Sequence, residues 1–552
     1  MKVTVKGPNL PIQNLEFAEK LPAYEILNMF KDKMPYPIYV CRVNNAYRAL
    51  THYIYHDSDI EFLDLRTQAA WLVYQNSLEL LFIKAVHDVL GKKRKVSINN
   101  SLNKGLYCNI WPAASDEEIY EVEARMKQLV QEDLPIKKEH LTQEEALKLS
   151  RDLNLKETER LLNSLKKVSS VEIYSLDDEI EIFYDLMVPS TGYLQYFELR
   201  PYRKGLLLRY PQPEEPTKIP PYEDQVLLYN AFKEANRWGD IMKINYVADL
   251  NEKVNSEDYE DLFFMQEALH EKRISDIADQ IKESKKRIIL ICGPSSSGKT
   301  TFANRLCIQL RVNDIKTMYL GTDDYFVEQD EKPVDENGEL DLESIKAVDC
   351  KLFVSQLNDL LDGKEVDIPS FDFKNNTKVF GKRITKLDKD TVIVIEGIHA
   401  LNPILTEGVD DEVKFKIYIS PFTPIGIDHH NRIPTTDARM LRRLVRDHQF
   451  RGRTARAVIQ EWAKVRKAEN TNVFPTNKEA DVFFNSNCIY ELAVLKKYAE
   501  PLLRQIDRSV PEYAEAQRML NFLRYFDSIE DDSSIVNNSI MREFIGGSVL
   551  VK

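Results

Sequence analysis

The sequence is sparing in several respects, and each absence removes a class of protein. Its six cysteines, Cys41, Cys108, Cys292, Cys307, Cys350 and Cys488, form no CxxC pair. That pattern excludes a zinc knuckle and a disulfide framework and reads as reduced thiols in a cytoplasmic protein. No apolar run approaches the ~20 residues of a membrane helix, so no membrane partner is expected. The opening MKVTVKGPNL lacks the apolar core of a secretion signal. No internal repeat is evident, and glycine and proline are modest at 18 and 24 residues. Surplus positive charge is missing too: the net charge of −13 argues against general nucleic-acid binding, though not against a local basic site.

What is present is a chain of 552 residues, too long for one core, with the composition of a soluble globular protein. Roughly three or four domains are expected. In residues 1–66, MKVTVKG, PIYVCRVNN and DIEFLDL read as strands of a small mixed domain. A helix follows in TQAAWLVYQNSLELLFIKAVHDVL, whose Trp71, Tyr74, Leu78, Leu81, Phe82, Ala85 and Val89 make one buried face. Thr142 and Glu145 have the spacing of a capping box, and VEIYSL and IEIFYDLMV read as strands. PQPEEPTKIPPY, at 211–222, reads as a stiff linker, and 223–285 as helical and charged. Beyond it RIILIC, TVIVIEG and VKFKIYIS are buried-strand candidates alternating with helices, which predicts a parallel sheet with helices on both faces. The region from 489 is helical, SIEDDSS at 528–534 reads as a flexible loop, and the closing REFIGGS follows no pattern.

The chemistry begins at Gly293-Pro294-Ser295-Ser296-Ser297-Gly298-Lys299-Thr300-Thr301, which satisfies GxxxxGK[ST] between a strand and a helix. Such a loop wraps its N–H groups around a polyphosphate. The lysine reaches the β- and γ-phosphates, the Thr300 hydroxyl takes Mg²⁺, and the helix offers its positive end. Glu396 closes a strand where Mg²⁺ and its waters lie, or else salt-bridges a lysine at the sheet edge. Asp323-Asp324 close another strand. A carboxylate there can accept the proton of an attacking alcohol while holding a water of Mg²⁺. Asp323 comes first after the strand and is the favoured group, with Asp324 or simple turn chemistry as alternatives. Arg439, Arg442, Arg443 and Arg446 share one helical face, and Arg451 and Arg453 flank a glycine hinge. A lid placing guanidiniums on a transferring phosphoryl has this form, and so do an RNA-binding stripe and a solvated face. His399, His429 and His430 read as loop or surface histidines.

From about 285 to 500 these motifs, in order, resemble the uridine kinase / phosphoribulokinase family of P-loop kinases. The matching pieces are GPSSSGKTT, TDDYF, DGKEVDIPSFDF, VIEGIHAL, RMLRRLVRD…RGR and FPTNKEADVFF. The resemblance implies transfer of phosphate from ATP or GTP to the 5′-hydroxyl of a small-molecule nucleoside. It implies Asp323 as catalytic acid–base, Lys299 on the phosphates, and Thr300, Glu396 and Asp323 for Mg²⁺. It places Asp341 on the ribose, and Arg439, Arg442, Arg446, Arg451 and Arg453 around phosphates and sugar. The family's base-reading tyrosine and histidine are replaced by Phe371 and Asn376, which leaves the choice of nucleoside open. A homo-oligomer is expected. Two alternatives stand beside this reading: a kinase of a sugar phosphate or other small alcohol, and a non-enzymatic ATP-dependent switch sensing tRNA or an amino acid.

The first half resembles the N-terminal region of threonyl-tRNA synthetases, most closely in EDLPIKKEHLTQEEAL and VPSTGYLQYFEL. That family's editing site uses an HxxxH on the first helix with a later Cys and His. Here Asn76 and Leu80, then Phe183 and Met187, stand in those places, so hydrolytic chemistry is not expected. A binding, regulatory or structural module is implied, and tRNA contact has no residue supporting it. The expected organisation is multidomain α/β and α+β: a ubiquitin-like TGS-type domain (1–66), a degenerate α+β editing-like domain (67–210), a linker and helical connector (211–285), a P-loop kinase (286–488) and a C-terminal helical extension (489–552).

Overall fold

The computed structural model describes residues 1–165, 170–334, 338, 340–372 and 375–551. The second half is built on five parallel strands in the order Thr317–Gly321, Val392–Glu396, Ile288–Cys292, Lys414–Ser420, Val482–Asn485. Side chains alternate across a strand, and the central strand shows the consequence. Ile288, Leu290 and Cys292 enter one apolar cluster, and Ile289 and Ile291 enter another. Both faces are therefore covered, as an all-parallel sheet requires. The segment 223–285 supplies part of that cover. Helix Val226–Met242 lays Ala231, Phe232 and Ala235 on the first face. Helix Glu260–Ser284 lays Ile274, Ile277, Ala278 and Ile281 on the second. These helices are layers of the sheet domain.

In the first half the three strand-like runs pair as strands Lys2–Gly7, Ile38–Val43 and Ser58–Asp64 of one five-stranded sheet, around which helix Ala23–Asn28 closes a small core. Helix Gln68–Leu90 differs from the one-faced expectation. Its residues from Leu72 to Val86 are buried almost without interruption, including Gln75, Glu79 and Lys84. The reason is that it lies inside one core with the four-stranded sheet Glu198–Tyr202, Gly205–Arg209, Gly105–Trp111, Lys95–Leu102 and with helix Asp116–Glu132. A helix enclosed on all sides has no polar face to show. Thr142 and Glu145 do form the reciprocal cap, at 3.2 and 2.8 Å. Ile529, within the stretch read as a flexible loop, is buried, and Asp532 there pairs with Lys497 at 2.7 Å.

The halves are joined by polar groups, several of them buried. Asp428, buried in the loop after strand Lys414–Ser420, accepts from Thr158 Oγ1 at 3.2 Å and Tyr184 OH at 3.1 Å. It also accepts the main-chain N–H groups of His430 and Asn431, each at 2.9 Å. His430, buried, meets Glu181 at 2.9 Å and His429, half-buried, meets the Tyr246 hydroxyl at 2.6 Å; both are loop histidines, one of the two placements the sequence suggested. Burial opposes charge on His430. Glu181, Asp428 and Glu179 outweigh it and hold the imidazolium to about 9. A histidine with its folded pKa above the unfolded ~6.5 adds stability that is whole below that value and lost as pH climbs through 9. The melting temperature is expected to fall between pH 7 and 9.5, and His430→Gln to flatten that slope. Equal slopes for the two proteins in thermal scans would remove His430 as the cause.

Candidate active site

The phosphate loop is shaped by steric demand from the adjoining strand. A Cβ on Gly293 would stand 2.1 Å from the Ile419 carbonyl oxygen, so no other residue fits. Ser296 and Gly298 take positive φ of 59° and 84°, which turns the chain into helix Lys299–Val312. Lys299 curls over the loop and donates to the Pro294 carbonyl at 3.1 Å. The hydroxyls of Ser296 and Ser297 are buried with no partner among the described residues. A polyphosphate is the kind of acceptor that would satisfy them.

Parallel register sets the acids. Ile291 and Gly321 both pair with Glu396, so three strands end at one edge. Glu396 accepts from the Thr300 hydroxyl at 3.2 Å and the Tyr319 hydroxyl at 3.0 Å. Burial pushes its carboxyl to about 7, against the pull of Lys299 and with a further push from Asp323. Asp324 is committed to Arg383 at 2.5 Å, whereas Asp323 stands exposed at the mouth. The cleft walls push the Asp323 carboxyl upward, and Lys299 and Arg451 oppose this. The neighbouring Asp324 carboxylate adds to the upward push. The set Thr300, Glu396 and Asp323 offers hard oxygen donors with a surplus of negative charge that one lysine does not neutralise. That donor chemistry fits Mg²⁺.

The arginines divide into two groups. Arg439 and Arg442 are fully buried. Arg439 Nε donates to the Ser295 carbonyl at 3.0 Å and its guanidinium pairs with Glu469, whose carboxylate accepts the Ser295 N–H at 2.9 Å. Arg442 pairs with Glu491 and donates to the carbonyls of Ser486 and Ser296, at 2.9 and 3.4 Å. Both brace the loop through its main chain. Arg443 bonds the Ser295 hydroxyl at 3.0 Å, Arg446 pairs with Asp447, and Arg453 with Glu461. The Arg451 side chain is 56% exposed and lies near enough to act on Asp323. Phe371 is buried with its ring 5.8 Å from that of Phe326, and Lys332 donates to Asn376 Oδ1 at 2.5 Å. Asp341 anchors its segment by donating its N–H to the Pro333 carbonyl at 2.9 Å. His399 lies in a turn, one of its two expected placements, and is buried there.

Glu469, Glu491, Tyr319 and Arg383 carry no signal in the sequence, because each reaches the site only through the fold. A cavity of about 590 Å³ lies elsewhere, lined by Asn76 and Glu79 of the long buried helix with Asp185, Arg432 and Arg518. Removing one partner of a buried ion pair costs about 3–5 kcal/mol. Arg442→Ala is therefore expected to lose about that much stability, and the exposed Arg451→Ala less than about 0.5 kcal/mol. Denaturant midpoints check the contrast, and equal losses would contradict the division.

Residues 288–492 match the Phosphoribulokinase / Uridine kinase family. A uridine kinase of Macrococcus caseolyticus is 34% identical over 200 residues, covering 36% of this chain and 87% of that protein. One of Leuconostoc citreum is 29% identical over 221 residues, covering 40% and 97%. Among solved structures, a possible uridine kinase from Bacillus stearothermophilus aligns with 22% identity and a TM-score of 0.27, over 39% of this chain and 98% of that one. By the relatives it covers nearly whole, the chain belongs, through this second half, to the phosphoribulokinase / uridine kinase family of kinases.

Proposed function

We propose that the chain transfers the γ-phosphate of ATP or GTP to the 5′-hydroxyl of a nucleoside. The observation that supports this most is the convergence of Lys299, Thr300, Glu396 and Asp323 at the carboxyl ends of adjacent parallel strands, where ligands of such sheets bind. Lys299 would leave the Pro294 carbonyl for the β- and γ-phosphates. Asp323, exposed at the mouth, accepts the proton of the attacking hydroxyl. Arg443 and Arg451, with Arg446 and Arg453 behind them, face the transferring group, while Arg439 and Arg442 keep the loop in shape. Thr300, Glu396 and Asp323 would hold Mg²⁺, which when bound offsets charge on the phosphate oxygens. Asp341 serves the ribose, and Phe371 stacks on the base while Asn376 reads it.

One observation favours a second acceptor. The Lys332 ammonium sits on Asn376, where an anionic sugar phosphate would find it. For the first half we propose a TGS-type domain and an editing-type domain without hydrolytic chemistry, serving as a binding module whose pocket is the 590 Å³ cavity.

Purified protein given Mg-ATP and a panel of nucleosides and sugar phosphates is expected to release ADP in response to one nucleoside, with Lys299→Ala as the blank. Turnover with a sugar phosphate alone would establish the second acceptor. ATPase activity that answers only to tRNA would defeat both. Asp323→Asn is expected to lower kcat by about 10²–10⁴-fold, as loss of a general base does, with donor affinity changed less than about threefold. Full turnover in that variant would pass the role to another group.

A further inference from the structure

The closing segment, patternless in sequence, lies against the phosphate loop. Glu543 Oε2 accepts the Thr301 main-chain N–H at 3.2 Å and the Thr301 hydroxyl at 2.7 Å. Thr301 stands in the first turn of helix Lys299–Val312, so its N–H is one of the free donors at a positive helix end. Three residues earlier, a Cβ on Gly298 would meet Ile540 Cγ2 at 2.6 Å. On the other side the Phe544 ring lies 4.9 Å from the guanidinium of Arg442, the residue that braces Ser296. Ile540, Glu543 and Phe544 are all buried. Ser539 fastens the segment by donating to Glu267 at 2.5 Å.

We propose that residues 535–547 are a built-in competitor of the donor nucleotide. The Glu543 carboxylate holds the Thr301 N–H and hydroxyl that a donor phosphate oxygen takes when nucleotide binds. The inference rests on the reading that this loop binds a nucleoside triphosphate. A carboxylate and a phosphate oxygen cannot share these two donors, so donor binding and tail docking oppose each other. The opposition is reciprocal: whatever draws the tail off the loop raises donor affinity by the factor that donor binding loosens the tail.

The test uses the full chain and labelled Mg-ATP, titrated against wild type, Glu543→Gln and Lys299→Ala. Glutamine keeps the shape and one acceptor oxygen but removes the charge that makes the contact strong. Glu543→Gln is expected to bind about tenfold tighter than wild type, and Lys299→Ala to bind far more weakly than either. Hydrogen exchange over 539–546 of wild type is expected to quicken at saturating nucleotide. Equal or weaker binding by a folded Glu543→Gln, with wild-type binding still dependent on Lys299, would make Glu543 a permanent helix cap and overturn the proposal while sparing the donor site. Nucleotide binding by none of the three would remove the donor reading and the proposal with it. Where Glu543→Gln does not fold, the wild-type exchange decides alone, and unchanged exchange under nucleotide overturns the proposal.

Discussion

One buried ion pair holds both main-chain groups of a single loop residue. The Arg439 guanidinium takes the carbonyl of Ser295, and the carboxylate of its partner Glu469 takes the N–H. Taking two charges out of water is costly, and the cost is repaid only where the remaining donors and lone pairs are also met. Here they are met by the very loop that has to be held. The phosphate cradle is therefore rigid before any phosphate arrives, which is the condition under which fixed dipoles act on a transition state without reorganising. It also ties helices Thr435–Arg451 and Ala455–Asn472 to the loop. The turn between them passes through Gly452, which caps the first helix at φ of 61°.

That anchoring explains why six arginines on and beside one helix do different work. A guanidinium holding a carboxylate and two carbonyls is committed to bracing, and Arg442 is in that position. The groups nearer the turn share Asp447 among several cations, an arrangement that leaves unneutralised positive charge. Facing it across the cleft are Glu396 and Asp323, with Lys299 between. Charge is thus separated between a positive arginine cluster and the acidic pair Glu396 and Asp323.

Features written within a dozen residues were legible in the sequence. The loop spacing is a local steric requirement, so it could be read together with its strand and helix. The buried strands RIILIC and TVIVIEG announced themselves because a sheet covered on both faces needs unbroken apolar runs. Illegible were the partners supplied by folding. Glu469 is 30 residues from Arg439, and Glu181 is 249 from His430, with no pattern linking either pair. The long helix 68–90 was read as one-faced because periodicity reports a preferred side, and says nothing of how many elements crowd around it. That Asp324 pairs with Arg383 was equally illegible, because Arg383 stands 59 residues on in a strand-poor stretch with no pattern pointing back.

The same helix that braces the loop also touches the distant cavity. Asp437, in its first turn, holds Arg518 through two bonds of 2.7 and 2.8 Å, and both residues line the 590 Å³ cavity. Arg439 and Arg442 follow within the next turn and a half and grip the phosphate loop. Each of these contacts is charge-assisted and at least partly buried. This helix has specific contacts at both places, within about two turns. One helix thus carries a residue that lines the cavity and two that hold the main chain of the loop.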